Sequence, residues 1–574
     1  MESARMHRND YFALIGFVFL VFGLPLALDR ILGNHETVHC QNIREMIADR
    51  DWIIPHYGGR PWLERPPLPF WLTMPLVSML GDHSRVYRLA SVLAGLPTVL
   101  LVAWMAGLFF GRNAGLLAGC IVTTMHEFIR YAIAPEADIF VCSLVAIGLG
   151  LFCHLEFQCR PDERVAFVGP RPWALLLLFA VLGLGNLVKG LFFTDLFMIV
   201  PIALFLLLGS DRWGLIKRYV WLPGWLTFIL VATSWAVSAY LRLPDVVALW
   251  ESDYMGRISG GYMREPWWYY LPHLLLNLAP WTPLAFVGLW LTHEKAWKQG
   301  RSPERFLWLW AIVPLIVLSI PKGKHHHYLL SICAPWAILA SVGLLRAREW
   351  LQGQAWLQRP YIALTLLIVA LESAILIVGQ SLPRVQPWVL GLLVAVPSFV
   401  LLGWIACILR DSRWSFGLTI GLVVAACWGK EIVDWQTARG PRGDLAFLNE
   451  VNRTVPTKES VLVLDNWGPL DASWSLYYMQ GRARLLHNAT FLRTANREAF
   501  VVTRVRQSEE LPAYGRVEEL LRSEVSRNEK SPADRLALYR VTLHDHLARF
   551  ERPVRISPMQ ATGRAEGPYL NSRD

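Results

Sequence analysis

Runs of about 20 largely apolar residues recur along this 574-residue chain, near 11–29, 86–110, 114–133, 137–156, 172–189, 191–209, 219–241, 270–292, 306–320, 327–345, 360–380, 387–409 and 414–433. A helix needs about that length to cross the hydrocarbon core of a bilayer, where each backbone N–H and C=O must be bonded within the segment. The pattern restricts the chain to a mainly α-helical polytopic membrane protein with about thirteen transmembrane helices. Run 306–320 is short, and 66–80 reads as a half-span or an interfacial helix. With 54% hydrophobic residues, 17% charged residues and 27 tryptophans, the chain also lies outside the range of soluble domains.

Charge sets the orientation. The net charge of +10 is spread in short clusters between apolar runs instead of forming one stripe, which excludes nucleic acid as a partner and follows the positive-inside rule. The first run follows Arg5 and Arg8 and lacks a small-residue cleavage site, so it is expected to be an uncleaved span with a cytoplasmic N-terminus. The loops carrying Arg112, Arg160/Arg164/Arg171, Arg212/Lys217/Arg218, Lys295/Lys298/Arg301/Arg305, Arg346/Arg348/Arg359 and Arg410/Arg413 then all face the cytoplasm. The external face receives segment 30–85, loop 242–269, the short "PKGKHHH" connection and everything after about residue 434. Most of the eight cysteines lie in apolar segments, and their spacing builds neither a disulfide framework nor a CxxC metal site.

The division expected is a membrane domain over 1–435, a small external α/β domain over 436–548 and a mobile tail over 549–574. In the middle part, "ESVLVLDNW" and "EAFVVTRV" read as buried strands, whereas "DASWSLYYMQG" and "RVEELLRSEV" read as helices.

Cations that break the charge bias mark the external face: Arg44, Arg60, Arg65, Arg130, Lys189, Arg242, Arg257, Arg264, Lys322 and Lys324. A phosphate at headgroup depth would offset the cost of holding them near hydrocarbon. "NHETVHCQNIREM" reads as a helix lying on the membrane, capped by Asn34, with Glu36 in its first turn and Cys40, Ile43, Met46 and Ile47 as its apolar stripe. Glu36 on this ground alone complements the helix dipole. In "GRPWLERPPLPFW" the Pro66–Pro67 pair stiffens the backbone after Glu64 and Arg65 and fixes their depth, while Trp62, Phe70 and Trp71 suit the interface. "RYAIAPEADIF" gathers Arg130, Glu136 and Asp138 where two spans meet outside, and Lys189 interrupts an apolar run. Snorkelling explains Lys189 as well as phosphate binding does. In "KGKHHHY", Lys322 to Tyr328, three consecutive histidines cannot all face one ion, so a phosphate or headgroup contact is favoured over zinc, and a surface loop without a role explains the stretch equally well.

Together "HETVHCQNIREM", "DWIIP", "GRPWLERPPLPFWL", the Arg130/Asp138 pair, "KG" at 189–190 and "REPWWYYLPHLLLNLAPW" resemble the bacterial polyprenyl-phosphate-dependent glycosyltransferases, which include the lipid A aminoarabinose transferases and relatives of the protein mannosyltransferases. The resemblance covers about residues 10–345 in order. It implies a GT-C-type fold, an undecaprenyl-phosphate sugar donor, a lipid, glycan or protein acceptor, a bacterial inner-membrane location and an external active site. By position it implies Glu36 as the family's acid and Arg65 as a phosphate contact; the transfer it implies needs a carboxylate for the acceptor, for which Glu36 and Asp138 are the candidates, and cations for the donor phosphate, for which Arg65 and Lys189 with Arg130, Arg257, Lys322 or Lys324 are the candidates, with His35, His39, Glu64, Glu136 and Tyr328 as further site residues. Four positions depart from the family pattern: His35 stands where an Asp is common, Arg65 replaces a Lys, His39 replaces a Tyr, and Met263 or Arg264 stands where a His often precedes the "PWWYY" stretch. No required metal or other cofactor is expected, and Glu64 is the residue that would hold a divalent ion. Inversion is expected, since no nucleophile for a double displacement is evident. Two rival classes are a transporter or flippase of an anionic lipid or sugar phosphate, which lacks support from broken spans at the midplane, and a non-catalytic relative.

Overall fold

The computed structural model describes residues 6–28, 30–158, 172–209, 212–243, 245–247, 250–251, 264–352, 421, 424–425, 427–429, 439–456, 458–464, 469–479, 483–486, 492, 498–523 and 535–544. The expected spans 360–380 and 387–409, most of 414–433, Arg257 and the tail 549–574 lie outside these residues.

In chain order the helices are α1 (Arg8–Leu28), α2 (Asn34–Asp49), α3 (Leu68–Leu80), α4 (Ser84–Phe110), α5 (Arg112–Thr123), α6 (His126–Ala132), α7 (Asp138–Cys153), α8 (Pro172–Lys189), α9 (Phe193–Leu207), α10 (Arg212–Tyr219) and α11 (Leu222–Arg242). There follow α12 (Tyr270–Asn277), α13 (Thr282–Lys298), α14 (Pro303–Ser319), a 3-10 turn (His326–Ile332) running into α15 (Cys333–Gln352), α16 (Arg439–Thr454) and α17 (Pro469–Tyr478). A two-stranded hairpin, β1 (His56–Tyr57) and β2 (Arg60–Pro61), lies between α2 and α3. The last strands are β3 (Val461–Leu464), β4 (Ala483–Leu486), β5 (Glu498–Arg504), β6 (Gly515–Arg522) and β7 (Leu536–Leu543). The chain groups into two compact units: Met1–Asp29, Arg88–Val237 and Tyr254–Thr437 form the first; Arg30–Tyr87, Ser238–Asp253 and Ala438–Asp574 form the second.

Among the described residues six helices are long and apolar enough to span a membrane, or seven if the bent pair α12–α13 counts as one. The protein is a multi-pass membrane protein. Two expected spans are interrupted. Run 114–133 breaks between α5 and α6, and run 270–292 bends by 106° at Pro280, which cannot donate a helical N–H. Helix α11 keeps Leu230 73% and Leu241 75% exposed, as lipid-facing leucines are, whereas α15 is central, with Trp336, Ala337, Ile338, Leu339 and Ala340 fully buried.

Beyond the last turn of α7, Glu156 is buried and gathers Arg301, Arg218 at 3.7 Å and the Tyr219 hydroxyl, which donates at 2.8 Å. Eighteen residues separate it from Asp138, which at helical rise is about 27 Å, close to the thickness of the hydrocarbon core. Glu156→Gln leaves two arginines at this junction without their carboxylate. Losing one member of a buried charge cluster costs about 3–5 kcal/mol. The variant is expected to melt several degrees lower in detergent while binding donor lipid normally; an unchanged melting curve would show that the cluster carries no stability.

In the second unit the sheet order is β4-β3-β5-β7-β6, with β3 parallel to β4 and β5, and β7 antiparallel to β5 and β6. Strand β5 is central and buried on both faces, hence its unbroken "AFVVT". "RVEELLRSEV" is a correction: its larger part is strand β6, although Glu, Leu and Arg favour helix. Pairing with β7 prevails, and a register shift between Glu519 and Leu521 accommodates the Leu520–Leu521 doublet that breaks strand alternation.

The first loop belongs to this same unit. Stripe residues Cys40, Ile43 and Met46 of α2 pack against Phe70, Met74, Val77, Tyr87 and Tyr477, so the face expected to rest on lipid is instead buried in protein. Gly33, not Asn34, precedes the helix, and its N–H donates to the Glu36 carboxylate at 2.5 Å. Glu45 accepts from the N–H groups of Gly58 and Gly59, each at 2.8 Å, and locks the hairpin turn. Gly58 has φ +62°, and a Cβ there would sit 2.6 Å from that of Leu485, whose N–H donates to the Gly58 carbonyl at 3.1 Å. Only glycine allows the hairpin to dock on β4.

Candidate active site

Asp138 opens α7 and Lys189 closes α8, so each charge sits at the helix end whose dipole favours it. Their side chains meet at 2.5 Å, and the ammonium side chain is only 2% exposed. A buried pair of this kind persists when further groups satisfy it. Here the Lys189 Nζ lies 5.0 Å from the Phe193 ring and 4.9 Å from that of Tyr328, and these two rings meet edge to face at 4.8 Å. The His327 Nε2 stands 3.9 Å from the Asp138 carboxylate.

The turn that carries Lys189 is held from beneath. Asn186 accepts from the Phe192 N–H at 2.7 Å and donates to the buried Asp195 at 2.8 Å, while the Thr194 hydroxyl donates to the Gly185 carbonyl at 2.9 Å. Phe192 takes the left-handed conformation, φ +63°, so the chain reverses within four residues. Lys189 is thus presented by a fixed turn.

A second constellation was not anticipated. Glu127, 1% exposed in α6, accepts from the Nδ1 of His326 at 3.0 Å. The His326 ring stacks on His273 with centroids 6.0 Å apart and planes 12° apart, and His273 stacks on Tyr269 at 4.2 Å. Tyr131 faces both His326 and His327, at 6.5 and 5.9 Å, and so connects the two constellations. The signal was present in the sequence: Glu127 is an acid inside an apolar run, which marks function in a membrane helix.

The other expected residues fall in several places. Lys324 is buried and donates to the carbonyls of Glu265, at 3.2 Å, and Pro321. Its ammonium holds backbone together. Arg130 is exposed beside Tyr131, Lys322 is exposed, and Glu136 is half-buried. Glu36, His35, His39, Glu64 and Arg65 belong to the second unit. There Glu36 is buried 3.7 Å from Arg30, His35 and Glu64 are exposed, and Arg65 is half-buried. His39 stacks near Phe70 at 4.8 Å, and burial pushes its imidazole down to about 3, so the ring is neutral at physiological pH. Two cations taken as marks of an external anion site are engaged within the unit: Arg44 with Asp82 at 2.6 Å and Arg242 with Asp51 at 2.9 Å. Among the described residues no group of three His, Cys, Asp or Glu is placed to hold a metal ion.

Residues 64–237 match the family described as dolichyl-phosphate-mannose-protein mannosyltransferase. Among curated proteins, an undecaprenyl phosphate-alpha-4-amino-4-deoxy-L-arabinose arabinosyl transferase of Pectobacterium carotovorum is 29% identical over 448 residues, covering 74% of this chain and 75% of the relative. One of the same description from Pseudomonas aeruginosa is 29% identical over 353 residues, covering 59% and 61%. Among solved structures, ArnT from Cupriavidus metallidurans bound to undecaprenyl phosphate superposes with a TM-score of 0.70 at 18% identity, over 92% of this chain and 97% of that one. The archaeal oligosaccharyltransferase AglB from Archaeoglobus fulgidus does so with a TM-score of 0.52 at 13% identity, over 88% and 70%. The mainly helical architecture is therefore the GT-C fold, and over most of its length the chain is similar to the undecaprenyl phosphate-alpha-4-amino-4-deoxy-L-arabinose arabinosyl transferases.

Proposed function

We propose that the protein moves a sugar from a polyprenyl phosphate, undecaprenyl phosphate in a bacterium, to a lipid A-like, glycan or protein acceptor at the external membrane face. The observation that carries this reading is the buried Lys189–Asp138 pair, a fixed cation beside a carboxylate at the end of two spans. In this mechanism Lys189 shares its ammonium between Asp138 and a phosphate oxygen of the donor, and it neutralises the charge that grows as the C–O bond to the sugar breaks. Arg130, Arg257 and Lys322 are further candidate phosphate ligands, and Asp138 orients the acceptor. Attack on the face opposite the leaving phosphate inverts the anomeric carbon. No metal enters the scheme.

The topology that goes with it has about thirteen spans in the inner membrane, a cytoplasmic N-terminus, and an external α/β domain over 436–548 following the membrane domain 1–435. The names of the relatives make 4-amino-4-deoxy-L-arabinose the first sugar to try. The test is release of undecaprenyl phosphate from a panel of undecaprenyl-phosphate sugars by the purified protein, with an envelope extract as acceptor. Release with one sugar supports transfer and names the donor; silence across a panel that a known transferase processes refutes it. Lys189→Ala is expected to weaken donor binding by about 10–100-fold, the worth of one charge-assisted hydrogen bond. An unchanged affinity in a lipid titration would remove Lys189 from the donor site.

A further inference from the structure

The transferase reading needs a group that receives a proton whenever the acceptor is an alcohol, and Asp138 is poorly suited to it. Its carboxylate is already bonded through Oδ1 to the Lys189 ammonium at 2.5 Å, as the partner that the buried cation requires. We propose that His326, oriented by Glu127, is the catalytic base, and that the acceptor is consequently a hydroxyl and not a phosphate. This deepens the transferase reading and rests on it.

The geometry has three parts. Glu127 is 1% exposed and can only accept when ionised, so the His326 Nδ1 facing it at 3.0 Å carries the proton and the lone pair resides on Nε2. The ring is fixed on both sides, by stacking on His273 and by Tyr131, while the Asn277 amide donates to the His326 carbonyl at 3.2 Å. And the next two residues reach the phosphate-binding pair: His327 approaches Asp138 at 3.9 Å and Tyr328 lies under the Lys189 ammonium. One 3-10 turn thus places an oriented imidazole beside the pair assigned to the donor. A phosphate monoester is ionised at neutral pH and needs no base; an alcohol does, and a carboxylate-oriented imidazole supplies one.

The acceptor O–H proton passes to the Nε2 of His326, the acceptor oxygen bonds to the anomeric carbon, and the bond from that carbon to the phosphate oxygen breaks, its electron pair leaving with polyprenyl phosphate. Glu127 is a positioning residue that also stabilises the imidazolium.

The experiment uses the full-length protein in detergent with the undecaprenyl-phosphate sugar that the panel identifies and an envelope extract as acceptor source. His326→Ala is expected to lower kcat by about 10²–10⁴-fold with donor KM within twofold of wild type. Added imidazole should restore at least tenfold of the loss, which no merely structural defect would permit. Glu127→Gln is expected to lower kcat by about tenfold, and Glu127→Asp should recover part of it. If His326→Ala fails to fold, His326→Gln with the same rescue is read instead. A folded His326 variant within threefold of wild type, or one that imidazole leaves silent, overturns the proposal while leaving the transferase reading in place. A wild-type protein silent across the donor panel overturns both.

Discussion

Asp138→Asn is expected to lower turnover by about 10²–10³-fold while the protein still reaches the membrane. The carboxylate is the charged partner of an ammonium that is 2% exposed, and the amide that replaces it matches its shape but not its charge. Removing one preorganised electrostatic group from a dry site costs about that factor in rate. Stranding a buried cation also destabilises the fold, by about 3–5 kcal/mol, an effect tempered here because Lys189 sits at the C-terminal end of α8, where the dipole welcomes it. Stability and chemistry are separated by a double-mutant cycle. Adding Lys189→Met to Asp138→Asn removes the stranded charge and should restore melting behaviour, but turnover should stay lost. Near-normal activity in Asp138→Asn would take the pair out of the mechanism.

A loss of stability that comes from packing alone is expected from Gly288→Ala. A Cβ at Gly288 would stand 1.8 Å from the Leu339 carbonyl oxygen, and one at Gly343 would stand 2.0 Å from that of Leu284. The two glycines, one on α13 and one on α15, let the backbones of these helices touch, as small residues do between membrane helices, where lipid is as apolar as leucine and close packing provides the attraction. The clash is with backbone, so no rotamer change relieves it and the helices must separate. Overpacking typically costs about 1–3 kcal/mol, and the upper end is expected here, a fall of roughly 3–6 °C in detergent. Because α15 continues the turn that carries His326 and Tyr328, activity should fall as well. Gly16→Ala is the control: nothing lies within 4 Å of the added methyl. Equal melting of the two variants would refute the role of the crossing.

The amino-acid sequence by itself determined that this is a multi-pass helical membrane protein, because the length and apolarity of a span are local properties fixed by the bilayer. It also offered Asp138 and Lys189 as candidates, the first a charge at the start of an apolar run and the second a charge that interrupts one, although snorkelling accounts for the lysine as well as a bound phosphate does. Those two residues are 51 positions apart, and nothing local paired them. Tertiary structure alone decided that α7 and α8 bring their ends together, that the α2 stripe faces protein instead of lipid, and that "RVEELLRSEV" joins a sheet. Glu127 and His326, 199 positions apart, became a dyad only through the fold. Hydrophobic and charge patterns state which residues must leave water or find a partner, but the partner's identity depends on packing between distant segments, which no single stretch of sequence encodes.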